Sequence, residues 1–163
     1  MTSKLLVKFF MSLIVVLSIG NMIGCTVLTL TPTSDTLATA TVAICKPSRI
    51  QISKIEFPEI QGTMSSEGEM WALLFFDKAY AKTDLKIVWR MTGSAPKFTV
   101  VARQDDGTVI SPIWGPEDHG GSTWKRPGYE WGTGFNFPKP GCWTLTATRG
   151  TTIGEISLDI LAP

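Results

Sequence analysis

One histidine, His119, stands in a chain of 163 residues. No serine lies in a Gly-x-Ser-x-Gly elbow, and no His-x-Glu or His-Glu-x-x-His run occurs. These absences exclude a nucleophile-elbow hydrolase and a helix-borne zinc site. Calcium needs six to eight oxygens at defined spacing, and no EF-hand-like spacing is found. Charge of one sign is also missing: 15 Lys and Arg stand against 14 Asp and Glu. That balance gives no footprint for nucleic acid. No segment shows a sustained helical period with caps, so helices are not expected. The acidic pairs Asp105-Asp106 and Glu117-Asp118 are expected in turns, where such residues are common. A glycosidase would need two carboxylates held about 5–10 Å apart across a cleft, which spacing in sequence does not supply. The expectation is a non-enzymatic protein with no cofactor and no metal.

What is present begins at the N-terminus. The first 24 residues carry Lys4 and Lys8 and no acidic residue. The apolar run Phe9–Gly20 follows, which is the layout of a secretory signal. The lysines stay at the anionic cytoplasmic leaflet while the apolar run inserts. Met22-Ile23-Gly24-Cys25 resembles the lipobox of bacterial lipoproteins, whose cysteine receives a diacylglyceryl thioether before cleavage. Gly24 and Cys25 match that pattern, whereas Met22 replaces the usual leucine. The resemblance implies lipidation at Cys25 and a membrane partner reached through the N-terminal lipid. It places the protein on the outer face of a bacterial membrane or cell surface. Cleavage after Gly20 or Gly24, giving a secreted protein, is the alternative. An uncleaved anchor is a third, but its apolar run is short of the ~20 residues that span a bilayer.

Three cysteines occur, Cys25, Cys45 and Cys142. With Cys25 lipidated, an even pair remains in an oxidising compartment, which fits a Cys45–Cys142 disulfide. It would close a loop of about 98 residues, for about 4–5 kcal/mol in the chain-entropy account. Two buried free thiols are the alternative. Without residues 1–24, 13 basic residues face 14 acidic ones. Residues 25–44 are rich in Thr, Ala and Ser and lack aromatic residues. They read as a flexible tether with a reach of roughly 25 Å. A first strand over Val27–Leu30 is the other reading.

Residues 45–163 suit one domain with a hydrophobic core. Arg49–Ile55 alternates in part, as a half-buried strand does. Met70–Phe76 is a continuous apolar run of strand length, and a helix over 72–81 is disfavoured by its aromatic residues. Leu85, Ile87, Trp89 and Met91 fall on one face of the next strand. Lys97–Arg103 follows, then the hairpin signal Asp105-Asp106-Gly107 and Thr108–Ile110. Cys142–Arg149 and Glu155–Leu161 close the chain around a turn at Gly150–Gly154. About seven strands over this length predict an all-β, two-sheet antiparallel sandwich.

The run Phe137-Pro138-Lys139-Pro140-Gly141-Cys142-Trp143-Thr144-Leu145-Thr146-Ala147 resembles the entry to a late strand in bacterial immunoglobulin-like and fibronectin-like domains. It is especially similar to a Phe-Pro-x-x-Gly-Cys-Trp phrase near the C-terminus of bacterial lipoproteins that have no assigned activity. The close match covers residues 137–161. It implies an immunoglobulin-like sandwich and leaves function open.

Residues 111–137 differ from the rest. Three of the six tryptophans lie here among glycines. Trp114, Trp124, Tyr129 and Trp131 are the candidate ligand-binding residues, as an aromatic platform for a sugar or peptide. The competing reading folds them back as core or lid, with Tyr129, Trp131, Thr133 and Phe135 on one side of a strand. Lys125 and Arg126 mark Trp124 as the ring expected to stay exposed. Glu117, Asp118 and His119 are oxygen-rich but read as a solvated turn, not a metal site. The favoured function is a surface-tethered binding or structural domain contacting an envelope protein, with no nucleic acid. The alternative is a carbohydrate-binding module using Trp114, Trp124 and Trp131.

Overall fold

The computed structural model describes residues 45–163. The segments read as a signal peptide and a tether, with Cys25, lie outside the described residues. No helix is found among the described residues. Eleven strands run in order: β1 (Ile50–Ile52), β2 (Pro58–Gln61), β3 (Thr63–Met64), β4 (Met70–Leu74), β5 (Asp84–Met91), β6 (Phe98–Gln104), β7 (Val109–Ile110), β8 (Trp114–Asp118), β9 (Tyr129–Asn136), β10 (Gly141–Arg149) and β11 (Thr152–Ile160). They form two antiparallel sheets that face each other as a sandwich. The six-stranded sheet has the order β1-β2-β4-β5-β9-β8, and the five-stranded sheet β3-β11-β10-β6-β7.

The count exceeds the expected seven because four of the added or shortened strands lie on sheet edges. Strands of two or three residues carry no readable period. Two expectations about particular strands are corrected. Ile50–Ile52 is exposed at every position, since it is an edge strand with only β2 beside it. Glu117 and Asp118 lie in β8 rather than in a turn, paired with Gly132 and Trp131 of β9.

Period-2 alternation explains the main core. Leu85, Ile87, Trp89 and Met91 of β5 meet Phe98, Val100 and Ala102 of β6. Trp143, Leu145 and Ala147 of β10 and Ile156, Leu158 and Ile160 of β11 complete it. Trp89 and Trp143 are fully buried. Burying each such side chain contributes about 1.5–3 kcal/mol relative to exposure. The Trp89 indole donates to Thr133 Oγ1 at 2.8 Å, so its polar atom is satisfied.

β4 is apolar throughout because both of its faces are covered. Met70, Ala72 and Leu74 point into the main core, and Trp71 and Leu73 point the other way. There they join Val88 and Trp124 in a second, smaller cluster, with Ile55 packed against it. A disulfide joins Cys45 to Cys142 with Cα atoms 5.1 Å apart, ordinary for such a bond. It ties the start of the described chain to the start of β10.

Candidate functional site

The stretch that draws attention in sequence divides into two parts in space. Residues 119–128 cross the outer face of the six-stranded sheet. Strand register explains what they meet. Gln61, Trp71, Arg90 and Glu130 form one cross-strand row over β2, β4, β5 and β9. Glu59, Leu73, Val88 and Gly132 form the next. The face therefore offers two carboxylates around an apolar patch.

Both carboxylates are buried, and both are saturated by the crossing segment. Glu59 is fully buried and accepts from the Trp124 indole at 2.7 Å and from Arg126 Nε at 3.2 Å. Arg126 Nη2 also reaches Glu59 Oε1. Glu130 accepts from Ser122 Oγ at 2.6 Å, His119 Nδ1 at 2.6 Å and Arg90 Nε at 2.7 Å. Burial raises the Glu130 carboxyl, but hydrogen bonds from Ser122, His119 and Arg90, with the Arg90 charge, outweigh it. The net result lies below the ordinary carboxylate value. Arg126 is pushed upward, chiefly by its hydrogen bond to Glu59. Its guanidinium lies 3.7 Å from the Trp71 ring centre, and Arg90 Nη1 donates to the Arg126 carbonyl at 2.7 Å. Buried charges are tolerated when paired and hydrogen-bonded in this way.

Trp124 is thus a wedge, not an exposed platform. Only 2 % of its surface is accessible. The adjacent Lys125 and Arg126 suggested exposure, but the Arg126 charge is neutralised by Glu59 beneath the loop. Trp131 is likewise buried, stacked on Phe98 at 4.5 Å between ring centres. Trp114 is 37 % exposed and Tyr129 67 %. These two do not meet. Trp114 pairs with Gly134 near the far end of β9 and lies over Gly132 and Gly134, whereas Tyr129 begins that strand. The four candidate rings therefore make no single platform. His119, weighed as a metal ligand with Glu117 and Asp118, turns to Glu130 instead.

The second part is a cleft at the end of the sandwich where β9 begins and β10 ends. It holds about 360 Å³ and is lined by Gly93, Ser94 and Pro96 of the β5–β6 turn, with Asp118, Tyr129, Trp131 and Arg149. Arg149 had drawn no notice in sequence beyond closing a strand. Its residue is only 3 % exposed. Alternation gave the signal: Trp143, Leu145, Ala147 and Arg149 share the inward face of β10, so a charge falls where an apolar side chain belongs.

Arg149 Nε donates to the Ala95 carbonyl and Nη1 to the Met91 carbonyl, each at 2.7 Å. Its guanidinium lies 4.6 Å from the Tyr129 ring centre and 5.1 Å from that of Trp131. Two carbonyls and two aromatic faces compensate the burial in part. Among the described residues Arg149 takes part in no salt bridge, and no acceptor meets Nη2. Tight backbone turns hold this geometry. Gly128, with φ +94°, runs so close to the Met91 backbone that any Cβ there would collide with it. No protein-family model, curated protein or solved structure matches the chain.

Proposed function

We propose that the chain is a lipid-tethered, extracytoplasmic binding domain of immunoglobulin-like architecture, without catalysis, which meets its ligand at the Tyr129–Arg149 cleft. One observation carries the binding assignment. A buried guanidinium with no carboxylate partner opens into a concave site whose rim bears an exposed aromatic ring. Charged groups are seldom buried without a partner unless a ligand completes the pairing. Small-molecule sites combine such a hollow with a few convergent polar groups.

Export rests on Lys4, Lys8 and the apolar run before Cys25. The Cys45–Cys142 bond supports the same address, because such bonds persist in oxidising compartments. The immunoglobulin-like assignment rests on the Phe137–Ala147 phrase and on the two-sheet sandwich. The crossing segment 119–128 is assigned to stability, since Ser122, Trp124 and Arg126 turn their polar groups inward onto Glu130 and Glu59.

Two measurements test this reading. Metabolic labelling with a palmitate analogue should mark the wild-type chain in the membrane fraction and not Cys25→Ala. An unlabelled wild-type chain would remove the lipid tether. Envelope material should be retained by the immobilised full chain and lost on Tyr129→Ala, whereas Trp114→Ala should retain it. Equal retention by Tyr129→Ala would remove the cleft as the binding site.

A further inference from the structure

We infer that the cleft takes a singly charged carboxylate carried on a ring-shaped sugar, a uronic acid residue, with the carboxylate on Arg149 and the ring on Tyr129. This rests on the binding role proposed for the same cleft.

The charge argument comes first. Two of the five N–H donors of Arg149 are used by Ala95 and Met91. Gln104 Oε1 is the one buried side-chain polar atom without a partner among the described residues. The unpartnered Arg149 Nη2 is therefore an atom that water reaches, and the cleft is where Arg149 lines open space. A guanidinium held by its own carbonyl contacts is pre-organised, so a ligand need not order it. Its planar fork matches an oxygen pair better than a single lone pair.

Asp118 on the cleft wall sets the charge limit. Its carboxylate, lining the same cleft without pairing to Arg149, offsets part of the guanidinium's attraction, so a dianion gains less than a monoanion. A phosphate or sulfate ester would meet repulsion from Asp118 that a monoanion meets less.

The shape argument favours a sugar over a peptide end. A peptide adds to a sheet through free backbone groups. At Tyr129 and Arg149 the strand backbone is already paired; the free edge is β8, which carries Asp118. Tyr129 pairs with Met91, and Arg149 pairs with both Thr152 and Phe98. What remains open there is a flat ring. One face of Tyr129 is occupied by Arg149, and with two thirds of the residue exposed the ring is available for stacking. A pyranose presents apolar C–H groups on its face and, in a uronic acid, a carboxylate at its edge. That pairing of an apolar face with an edge charge is the pairing Tyr129 and Arg149 offer. The cleft volume is near the lower limit for small-molecule sites, enough for a ring-sized group.

The test uses the full chain in detergent and isothermal calorimetry with three probes. They are a glucuronic acid disaccharide, the same disaccharide with its carboxyl reduced to the alcohol, and a short peptide with a free C-terminal carboxylate. The acidic sugar should bind at least about tenfold more tightly than the reduced one, the worth of a charge-assisted hydrogen bond pair. Tyr129→Ala should abolish binding while the chain stays folded, as circular dichroism reports. Asp118→Asn should tighten binding of the acidic sugar. Arg149→Lys should weaken it about tenfold or more; should that variant fail to fold, the Tyr129 and Asp118 variants still decide the matter. Equal binding of the reduced sugar, abolished by Tyr129→Ala, would overturn the carboxylate and leave the cleft as a binding site. Preference for the peptide would overturn the sugar. No binding by any probe, together with envelope capture untouched by Tyr129→Ala, would overturn this inference and the binding role alike.

Discussion

The indole N–H of Trp124 donates to Glu59 Oε2 at 2.7 Å, joining residues 65 positions apart across the outer face of the larger sheet. The contact converts an aromatic, glycine-bearing segment into a cover for Trp71, Leu73 and Val88. A carboxylate placed in a strand would otherwise be buried without donors. Trp124 and Arg126 supply them, and the tryptophan ring closes the apolar patch beside it.

This arrangement makes Trp124 a stability residue. Trp124→Ala should cost about 3–5 kcal/mol, as large aromatic truncations in cores do. Trp124→Phe keeps much of the apolar contact and removes one donor, so a smaller loss of about 1–3 kcal/mol is expected. Urea unfolding followed by circular dichroism measures both. If both variants unfold within about 0.5 kcal/mol of wild type, as ordinary surface substitutions do, the wedge role is wrong.

The Cys45–Cys142 bond spans 97 positions. A crosslink of that span limits the unfolded chain strongly, for about 4–5 kcal/mol in the entropy account. Cys45→Ser with Cys142→Ser should lower the unfolding midpoint markedly. Intact mass of the mature protein should rise by about two daltons on reduction, the two hydrogens a reduced disulfide gains. An unchanged mass would show free thiols and remove the bond.

Much of the frame is legible before any coordinates. The alternation of Leu85, Ile87, Trp89 and Met91 places β5, and the Asp105-Asp106-Gly107 signal places the β6–β7 hairpin, where Gly107 takes φ +89°. The paired final strands follow from their β-branched pattern. Strands β2, β3 and β8 are not legible, because runs of two to five residues without alternation show no period. The role of 119–128 is hidden for a different reason. Exposure of Trp124 was inferred from its charged neighbours, yet the partner that neutralises Arg126 is Glu59, far away in sequence. Arg149 is legible in part: its parity on β10 puts it on the core face, and only its neighbours in space show why a charge is tolerated there.

Trp114 rests on glycine for a physical reason. A Cβ at Gly134 would overlap the Trp114 indole, and Gly132 lies against the same ring. Gly134→Ala should therefore push the indole off the sheet. Acrylamide quenching of tryptophan fluorescence should increase, and stability should fall by about 1–3 kcal/mol, as for overpacking. Unchanged quenching in Gly134→Ala would show that Trp114 does not lie on that glycine.

Acid should loosen the cover on the larger sheet. The Glu130 carboxyl is held below its ordinary value of 4.5 in the fold, since Ser122, His119 and Arg90 together outweigh its burial. A carboxyl depressed by folding contributes its stability above the unfolded value and loses it as pH falls through the folded one. The loss should therefore start near pH 4.5 and deepen below it. Asp106 enters the same limb only lower, below its ordinary 3.8. Its carboxyl is held at about 2, first by the hydrogen bond from Lys139, and it is exposed. Glu130→Gln removes the titrating group and should flatten the acid limb. It should also lower stability at neutral pH, because Arg90 then loses its charged partner. Melting temperatures taken between about pH 3 and pH 7 decide the matter. An acid limb of equal slope in Glu130→Gln would assign the loss to other carboxylates.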